Sequence, residues 1–357
     1  MTAQRILICL HDFSRGGTER VALGLAADWV AGGRHVTILC GSPEGGLRET
    51  VASKVKVEVL SPPVRRGFLS RFRLGRAMGK RLAALRPDVI FLPGNFHALL
   101  ANALRKADPR PAIALKISNP PVPLSVPFTA SFFRHLTRGV DGFAAMNSGL
   151  ARELEAMLPG RNIVTLHDPS YVRSRAIERR RERHHNILWI GRLEPQKDPA
   201  LALKTLLAMG TSAAQLTMLG EGGLRADIER QITGMKLEGR VRLMGHVSDI
   251  ESHLAETDAL LITSRYEGGP AVAVEALAMD VPVVSTDCSY LLHDLITTPE
   301  SGTIVTSRDP IDLAAALLAV CGKPRASEGL RSLAKPFEPE ARAKAYLDWF
   351  DSLAGHG

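Results

Sequence analysis

The sequence predicts an α/β protein built as two domains of parallel sheet, and three observations carry that prediction. The chain has 357 residues, which favours two hydrophobic cores over one. Short apolar runs recur along it with helical segments between them, the alternation expected of βαβ units. Several of these runs end in glycine-containing turns, and the carboxyl ends of strands are where open α/β sheets bind ligands. Hydrophobic residues make up 45% of the chain, which excludes a disordered protein.

Arg5 to Leu10 is the first apolar strand. Gly16 and Gly17 follow it, then a helix through Trp29 that ends near Gly32-Gly33, then a strand from His35 to Cys40. This is a βαβ opening with a glycine turn at the first strand's carboxyl end. The spacing is not G-x-G-x-x-G, so no dinucleotide fingerprint is present. Val64 to Leu82 mixes arginines with Phe68, Leu69, Phe72 and Leu74, a pattern shared by interfacial amphipathic segments and ordinary surface helices. Asp88 to Leu92 is a strand, and His97 lies just beyond its end, a position suited to chemistry and common for a satisfied loop histidine. Ala112 to Ile117 is the next strand, followed by a proline-rich loop, Asn119 to Pro127, of the kind that can line a binding site. Gly142–Ala145 and Asn162–Leu166 close the first half. The arginine-rich stretch from 171 to 185 has little apolar content and is expected to link the domains.

The second half opens with a strand, Asn186 to Ile190, then Gly191, Arg192 and Lys197 before a helix. A guanidinium fork and an ammonium five positions apart suit a diphosphate. Strands recur at Gln215–Leu219, Val241–Met244, Ala259–Thr263, Val281–Ser285 and Thr303–Val305. Phe337 to Leu353 is an amphipathic tail helix.

The stretch Ser264 to Glu275 organises the second half. A buried strand leads into Gly268-Gly269-Pro270, a tight turn with proline placed to open a helix. The helix Ala271 to Met279 is apolar on every face except at Glu275, so it is a buried helix. A buried carboxylate needs a donor. The residues leave two sources open: hydroxyls of a bound sugar or ribose, or an internal salt bridge.

Glu267 and Glu275, seven residues apart and followed by Ala276-Leu-Ala-Met-Asp-Val-Pro-Val-Val284, resemble the signature of glycosyltransferase family 4. Gly191-Arg192-Leu193 with Lys197-Asp198 resembles that family's donor-phosphate motif. The resemblance implies a GT-B fold: two Rossmann-like parallel-sheet domains facing a central cleft, with a C-terminal helix crossing back to the first. The expected divisions are 1–170 for the acceptor domain, 171–185 for the linker, 186–335 for the donor domain and 336–357 for the crossover helix. It implies a retaining transferase acting on a nucleotide-diphosphate sugar, with UDP ahead of GDP. Arg192 and Lys197 would face the diphosphate, Glu267 the sugar and Glu275 the ribose. Gly16 and Gly17 would approach phosphates or sugar, His97 would face the reacting sugar, and Gly268, Gly269 and Pro270 would present backbone N–H groups to the donor. No separate cofactor and no metal are expected, the sequence having no Asp-x-Asp pair. The sequence departs from the pattern at Gly269, usually aromatic, at Asp280, usually glycine, and at 285–294, where a glycine-containing loop is usual. A sugar-nucleotide epimerase of the same fold and a catalytically degenerate binding subunit are the rival expectations.

The formal net charge of +8 is uneven. Residues 1–170 hold 23 Lys+Arg against 12 Asp+Glu, and the remainder 22 against 25. A basic first half suits an anionic membrane surface or a lipid-linked acceptor, and equally a plain soluble basic face. Nucleic acid is not expected, since no recognition motif or aromatic stacking cluster is present. Cys9, Cys40, Cys288 and Cys321 lack metal-type spacing, and the opening apolar run is too short for a signal peptide or span. The chain is expected in the cytoplasm, peripheral on the inner face of the plasma membrane if lipids recruit it.

Overall fold

The computed structural model describes residues 2–14, 16–67, 70–119, 130–170, 185–210, 213–321 and 329–355. The chain divides into two units, one of Met1–Pro169 with Pro339–Gly357, the other of Ser170–Glu338. Most of the basic connection, 171–184, and the loop 120–129 lie outside the described residues, as do Phe68 and Leu69.

The first unit's strands are β1 (Arg5–Leu10), β2 (His35–Cys40), β3 (Lys56–Val59), β4 (Val89–Leu92), β5 (Ala112–Ile117), β6 (Gly142–Ala145) and β7 (Asn162–Thr165). They form one parallel sheet in the order β3-β2-β1-β4-β5-β6-β7. A parallel sheet is covered on both faces, so its central strands are largely apolar. Along β1, Ile6, Ile8 and Leu10 join the core on one face, and Leu7 and Cys9 join the other. The first face is closed by the helix Gly17–Ala31 and the tail helix Pro339–Ala354. Their aromatic rings interlock: Trp29 lies 5.4 Å from Phe91 and 5.0 Å from Phe350, edge to face, a favoured geometry for buried rings. The second face is closed partly by Ser70–Gly79 packed on Ala98–Ala107, where Gly75 lets the two helices approach near Leu100 and Ala103. Lys116 of β5 is 1% exposed and forms an ion pair with Asp168.

The second unit's strands are β8 (His185–Ile190), β9 (Ala214–Leu219), β10 (Val241–Gly245), β11 (Ala259–Ile262), β12 (Val283–Thr286) and β13 (Gly302–Val305). His185, expected in the connection, opens β8 by pairing with Ala214. These strands are also all parallel, in the order β10-β9-β8-β11-β12-β13. In both sheets the order reverses beside the first strand, the doubly wound pattern whose ligand sites lie outside the carboxyl ends at that reversal. Ser170 donates its N–H to the carbonyl of Phe337 (2.7 Å), and Phe337 is buried in this unit's core, so residues 336–338 belong here before the tail helix begins.

Candidate donor and acceptor sites

In the second unit, the turn after β8 and the turn after β11 are tied together. The Thr263 hydroxyl lies 2.9 Å from the carbonyls of both Lys197 and Asp198, and Trp189 Nε1 donates to it at 2.9 Å. Asp198 sits in the left-handed region (φ 47°), just ahead of the helix Pro199–Ala208. Its carboxylate accepts no backbone cap bond but pairs with Arg265 at 2.9 Å and Arg308 at 2.7 Å. Arg308 also donates to the carbonyls of Thr263 and Ser264, each at 2.9 Å. This crossbrace fixes Lys197 beside Glu267.

Lys197 and Glu267 form an ion pair, with side chains 19% and 9% exposed. The Ser264 hydroxyl donates to the same carboxylate oxygen of Glu267 at 2.7 Å. Arg192 stands apart from this pair: its side chain is exposed and bonds Glu194 at 2.7 Å. Gly191 packs against the aliphatic stem of Lys197. The neighbouring turn comes just as close, since a Cβ at Gly220 (φ 135°) would lie 1.9 Å from the Gly191 carbonyl, so only glycine fits there.

Gly268, Gly269 and Pro270 lead into the helix Ala271–Ala278. The Ser289 hydroxyl holds the Gly268 carbonyl at 3.2 Å, and Glu267 N–H donates to the Cys288 carbonyl at 2.7 Å. Glu275 has no salt bridge among the described residues; its Oε2 is closed off from solvent and without a partner. Burial pushes its carboxyl above the usual range. The internal ion pair left open by the sequence is therefore absent among the described residues, which leaves the carboxylate open to a ligand. Asp280, at the position where glycine is usual, takes a left-handed conformation (φ 54°) and pairs with Arg331 at 3.0 Å. Leu291 and Leu292, in the segment that lacks the usual glycine, are 4% and 0% exposed and fill the core; Ser289 caps the short helix they open.

In the first unit, Gly16, Gly17 and His97 line one cavity of about 210 Å³ at the carboxyl ends of β1, β4 and β5. Gly16 precedes the helix Gly17–Ala31, and a Cβ there would fall 2.2 Å from Glu19 Oε2. Glu19 and the buried Asp12 share Arg66, which donates to Asp12 Oδ1 at 2.9 Å and Glu19 Oε1 at 3.0 Å. Burial alone would push the Asp12 carboxyl up, but the Arg66 hydrogen bonds and the Ser14 donors hold it down at about 2. His97 Nδ1 is closed off from solvent and unpartnered. Burial pushes its imidazole down to about 4, with the Arg71, His11 and Arg66 charges acting the same way and the nearby Gly94 backbone opposing them. Asn95 accepts from Ser118 N–H at 2.9 Å and donates to the Asn119 carbonyl at 2.8 Å, which sets Ser118 beside His97 in the cavity wall.

The sequence reading missed Asp12, Arg66, Arg71 and Ser118 here, and Arg308 in the second unit; it held Asp198 only as a member of the motif, without its bracing role. Asp12 could have been found, because it follows a strand end that carries a glycine turn. Arg308 gave no local signal: its partner Asp198 is 110 residues away.

Residues 16–169 match the family described as Glycosyl transferase 4-like domain, and residues 184–323 match Glycosyl transferases group 1. Among curated proteins, the chain is 27% identical over 136 residues to a Campylobacter jejuni GalNAc-alpha-(1->4)-GalNAc-alpha-(1->3)-diNAcBac-PP-undecaprenol alpha-1,4-N-acetyl-D-galactosaminyltransferase, 37% of each chain. It is 25% identical over 170 residues to a Staphylococcus aureus poly(ribitol-phosphate) alpha-N-acetylglucosaminyltransferase, 46% of this chain and 34% of that one. The chain thus spans about a third of the length of these curated relatives. Among solved structures, the lipopolysaccharide outer core galactosyltransferase WaaB, in its apo form, superposes with a TM-score of 0.79 at 19% identity, over 98% of this chain and 99% of that one. Anabaena Alr3699/HepE in complex with UDP and glucose gives 0.76 at 16% identity, over 98% and 100%. The fold is GT-B.

Proposed function

We propose that this GT-B chain, whose halves match two glycosyltransferase domain families, is a retaining, family 4-like glycosyltransferase. It takes a sugar from a nucleotide-diphosphate sugar, UDP ahead of GDP, and passes it to a glycan or lipid-linked acceptor in polysaccharide, lipopolysaccharide or glycolipid assembly. One observation carries the reading: a carboxylate with an orphan buried oxygen, Glu275, stands on the helix behind a glycine turn that directly follows Glu267, the partner of Lys197. A ribose would supply the donors that Glu275 lacks. An incoming diphosphate would draw Lys197 away from Glu267, freeing that carboxylate for sugar hydroxyls.

In the reaction the bond between the sugar's C1 and the diphosphate oxygen breaks, and C1 bonds to the acceptor hydroxyl oxygen on the same face. The acceptor proton passes to the departing phosphate oxygen. Negative charge grows on the diphosphate as its bond breaks, so a fixed ammonium gains interaction in the transition state. Arg192, exposed and loosely held by Glu194, would swing in as a second cation, and His97 would face the reacting sugar. Neither an epimerase nor a degenerate subunit is favoured: the two leucines that suggested degeneracy fill the core.

We also assign the basic first unit to an anionic lipid surface on the inner face of the membrane. Among the described residues no helix is long and apolar enough to cross one.

Isothermal titration with UDP and GDP, followed by turnover of UDP-sugars on a lipid-linked acceptor, tests the reading. Lys197→Ala should keep its fold and lose on the order of 100-fold to 1,000-fold in turnover at saturating donor. Turnover at the parental rate would remove Lys197 from the site and reduce its loop to a basic surface turn.

A further inference from the structure

The cavity in the first unit holds more unsatisfied chemistry than the donor reading uses. Three side-chain atoms in its wall, His11 Nε2, His97 Nδ1 and Ser118 Oγ, are closed off from solvent and without a partner. Buried polar atoms are ordinarily paired, so three orphans on one small wall point to a polar occupant. One cation of the cavity wall is also left without an ion-pair partner among the described residues. Arg66 is taken up by two carboxylates, Asp12 and Glu19. Arg71 has no carboxylate partner among the described residues: its guanidinium lies 4.5 Å from the centre of the Phe96 ring, and Phe96 is 68% exposed. Burial, together with the neighbouring Arg66 charge, pushes the Arg71 pKa down, the signature of a cation short of an anion.

These groups specify their ligand by chemistry. A half-buried guanidinium with free N–H donors suits a phosphate. Both imidazoles have pKa values pushed down chiefly by burial, so they are neutral near pH 7. A neutral imidazole donates at one nitrogen and accepts at the other, which matches a hydroxyl, itself donor and acceptor. At about 210 Å³ the cavity is below the roughly 300–1,000 Å³ of a drug-sized site. That volume is on the scale of one head group.

We propose that this cavity is a subsite for a phosphorylated polyol or sugar head group, in which Arg71 takes the phosphate and His11, His97 and Ser118 take its hydroxyls. Calling that head group part of the acceptor rests on the glycosyltransferase reading; the binding itself does not.

The test is isothermal titration of the full chain with glycerol 3-phosphate, using glycerol as the neutral control and saturating UDP to occupy the donor site. Glycerol 3-phosphate should bind, with glycerol at least about tenfold weaker, and Arg71→Gln should cost about tenfold or more, the usual scale for a charged hydrogen bond. Arg71→Lys should keep part of the affinity, since it keeps the charge and loses the fork. Arg71 makes no ion pair among the described residues, so these variants should fold, and unchanged UDP affinity would verify it. Ser118→Ala gives an independent loss on the hydroxyl side. Equal affinity for glycerol 3-phosphate in the parent and Arg71→Gln, or no preference for it over glycerol, overturns the subsite while UDP binding keeps the donor reading. Arg71-dependent binding of glycerol 3-phosphate by a chain that does not bind UDP would uphold the subsite and sink the donor reading.

Discussion

The two units share a strand order and a glycine turn after their first strand, yet the strand ends carry opposite electrostatics. In the first unit, buried imidazoles are kept neutral around a guanidinium with no counter-ion among the described residues. In the second, a cation is already matched by Glu267, and the surplus is an orphan carboxylate. The scaffold decides where ligand-facing groups stand; the side chains decide what is missing there. On the proposed reading, one site would be completed by an anion and the other by hydroxyl donors and a diphosphate that displaces an existing pair.

The contrast has a measurable sign in pH. His97 has a pKa of about 4 in the folded chain against an ordinary 6.5, so between those values the unfolded state binds the proton that the folded state refuses. Stability is then fully present above pH 6.5 and lost as pH falls toward 4, by at most about 3 kcal/mol for this shift. His11 acts in the same direction. His97→Gln should flatten the stability curve across that window, as read from urea midpoints at several pH values. An unchanged slope would mean that the ring is not held neutral by its burial.

Glu275 runs the other way. Its folded pKa is raised by burial, so the folded state holds a proton longer than the unfolded one, and acidification through that raised pKa relieves the desolvation penalty. Glu275→Gln removes the penalty at neutral pH. The variant should melt higher than the parent near pH 7, lose that advantage on acidification and bind UDP more weakly. A variant that melts lower at pH 7 with UDP affinity intact would mean that the carboxylate has a structural partner after all, and the ribose role would go with it.

Much of this was legible in the chain. Apolar runs marked twelve of the thirteen strands to within about two residues. The one left unmarked, β3, is a short edge strand, Lys-Val-Glu-Val, with polar residues at alternate positions and only partial burial. The apolar character of Ala271–Ala278 foretold that Glu275 would be enclosed, because burial is a local property of pattern. Whether it had a partner was not local and could not be read. The same limit hid Arg308, which braces residues 44 and 110 positions away. It also hid the cavity of the first unit, whose His11, Arg71, His97 and Ser118 arrive from four separate segments. Asp280 shows the reverse case: its departure from glycine looks damaging in sequence, until Arg331 is seen to hold it in the left-handed turn.

The smallest effect sharpens the comparison at the surface. The first unit holds 25 Lys+Arg against 15 Asp+Glu, the second 20 against 22, so only the first should be drawn to anionic lipid. Its helix Ser70–Gly79 has no acidic residue in its sequence, and it turns Leu74 and Met78 inward while Phe72, Arg73 and Arg76 face out. A basic residue near an anionic surface contributes about 1 kcal/mol. Reversing both arginines, Arg73→Glu with Arg76→Glu, should therefore weaken binding to phosphatidylserine vesicles on the order of tenfold or more. Binding should also fall as salt is raised, since the attraction is screened over about 10 Å at 0.1 M. Phe72→Ser should cost less, because half of that ring is already covered by the protein. Reversal of the same charges should leave UDP affinity untouched, as the donor groups lie in the other unit. Equal partitioning onto neutral and anionic vesicles would leave the positive face of the first unit as a solubility feature and detach the acceptor cavity from any membrane role.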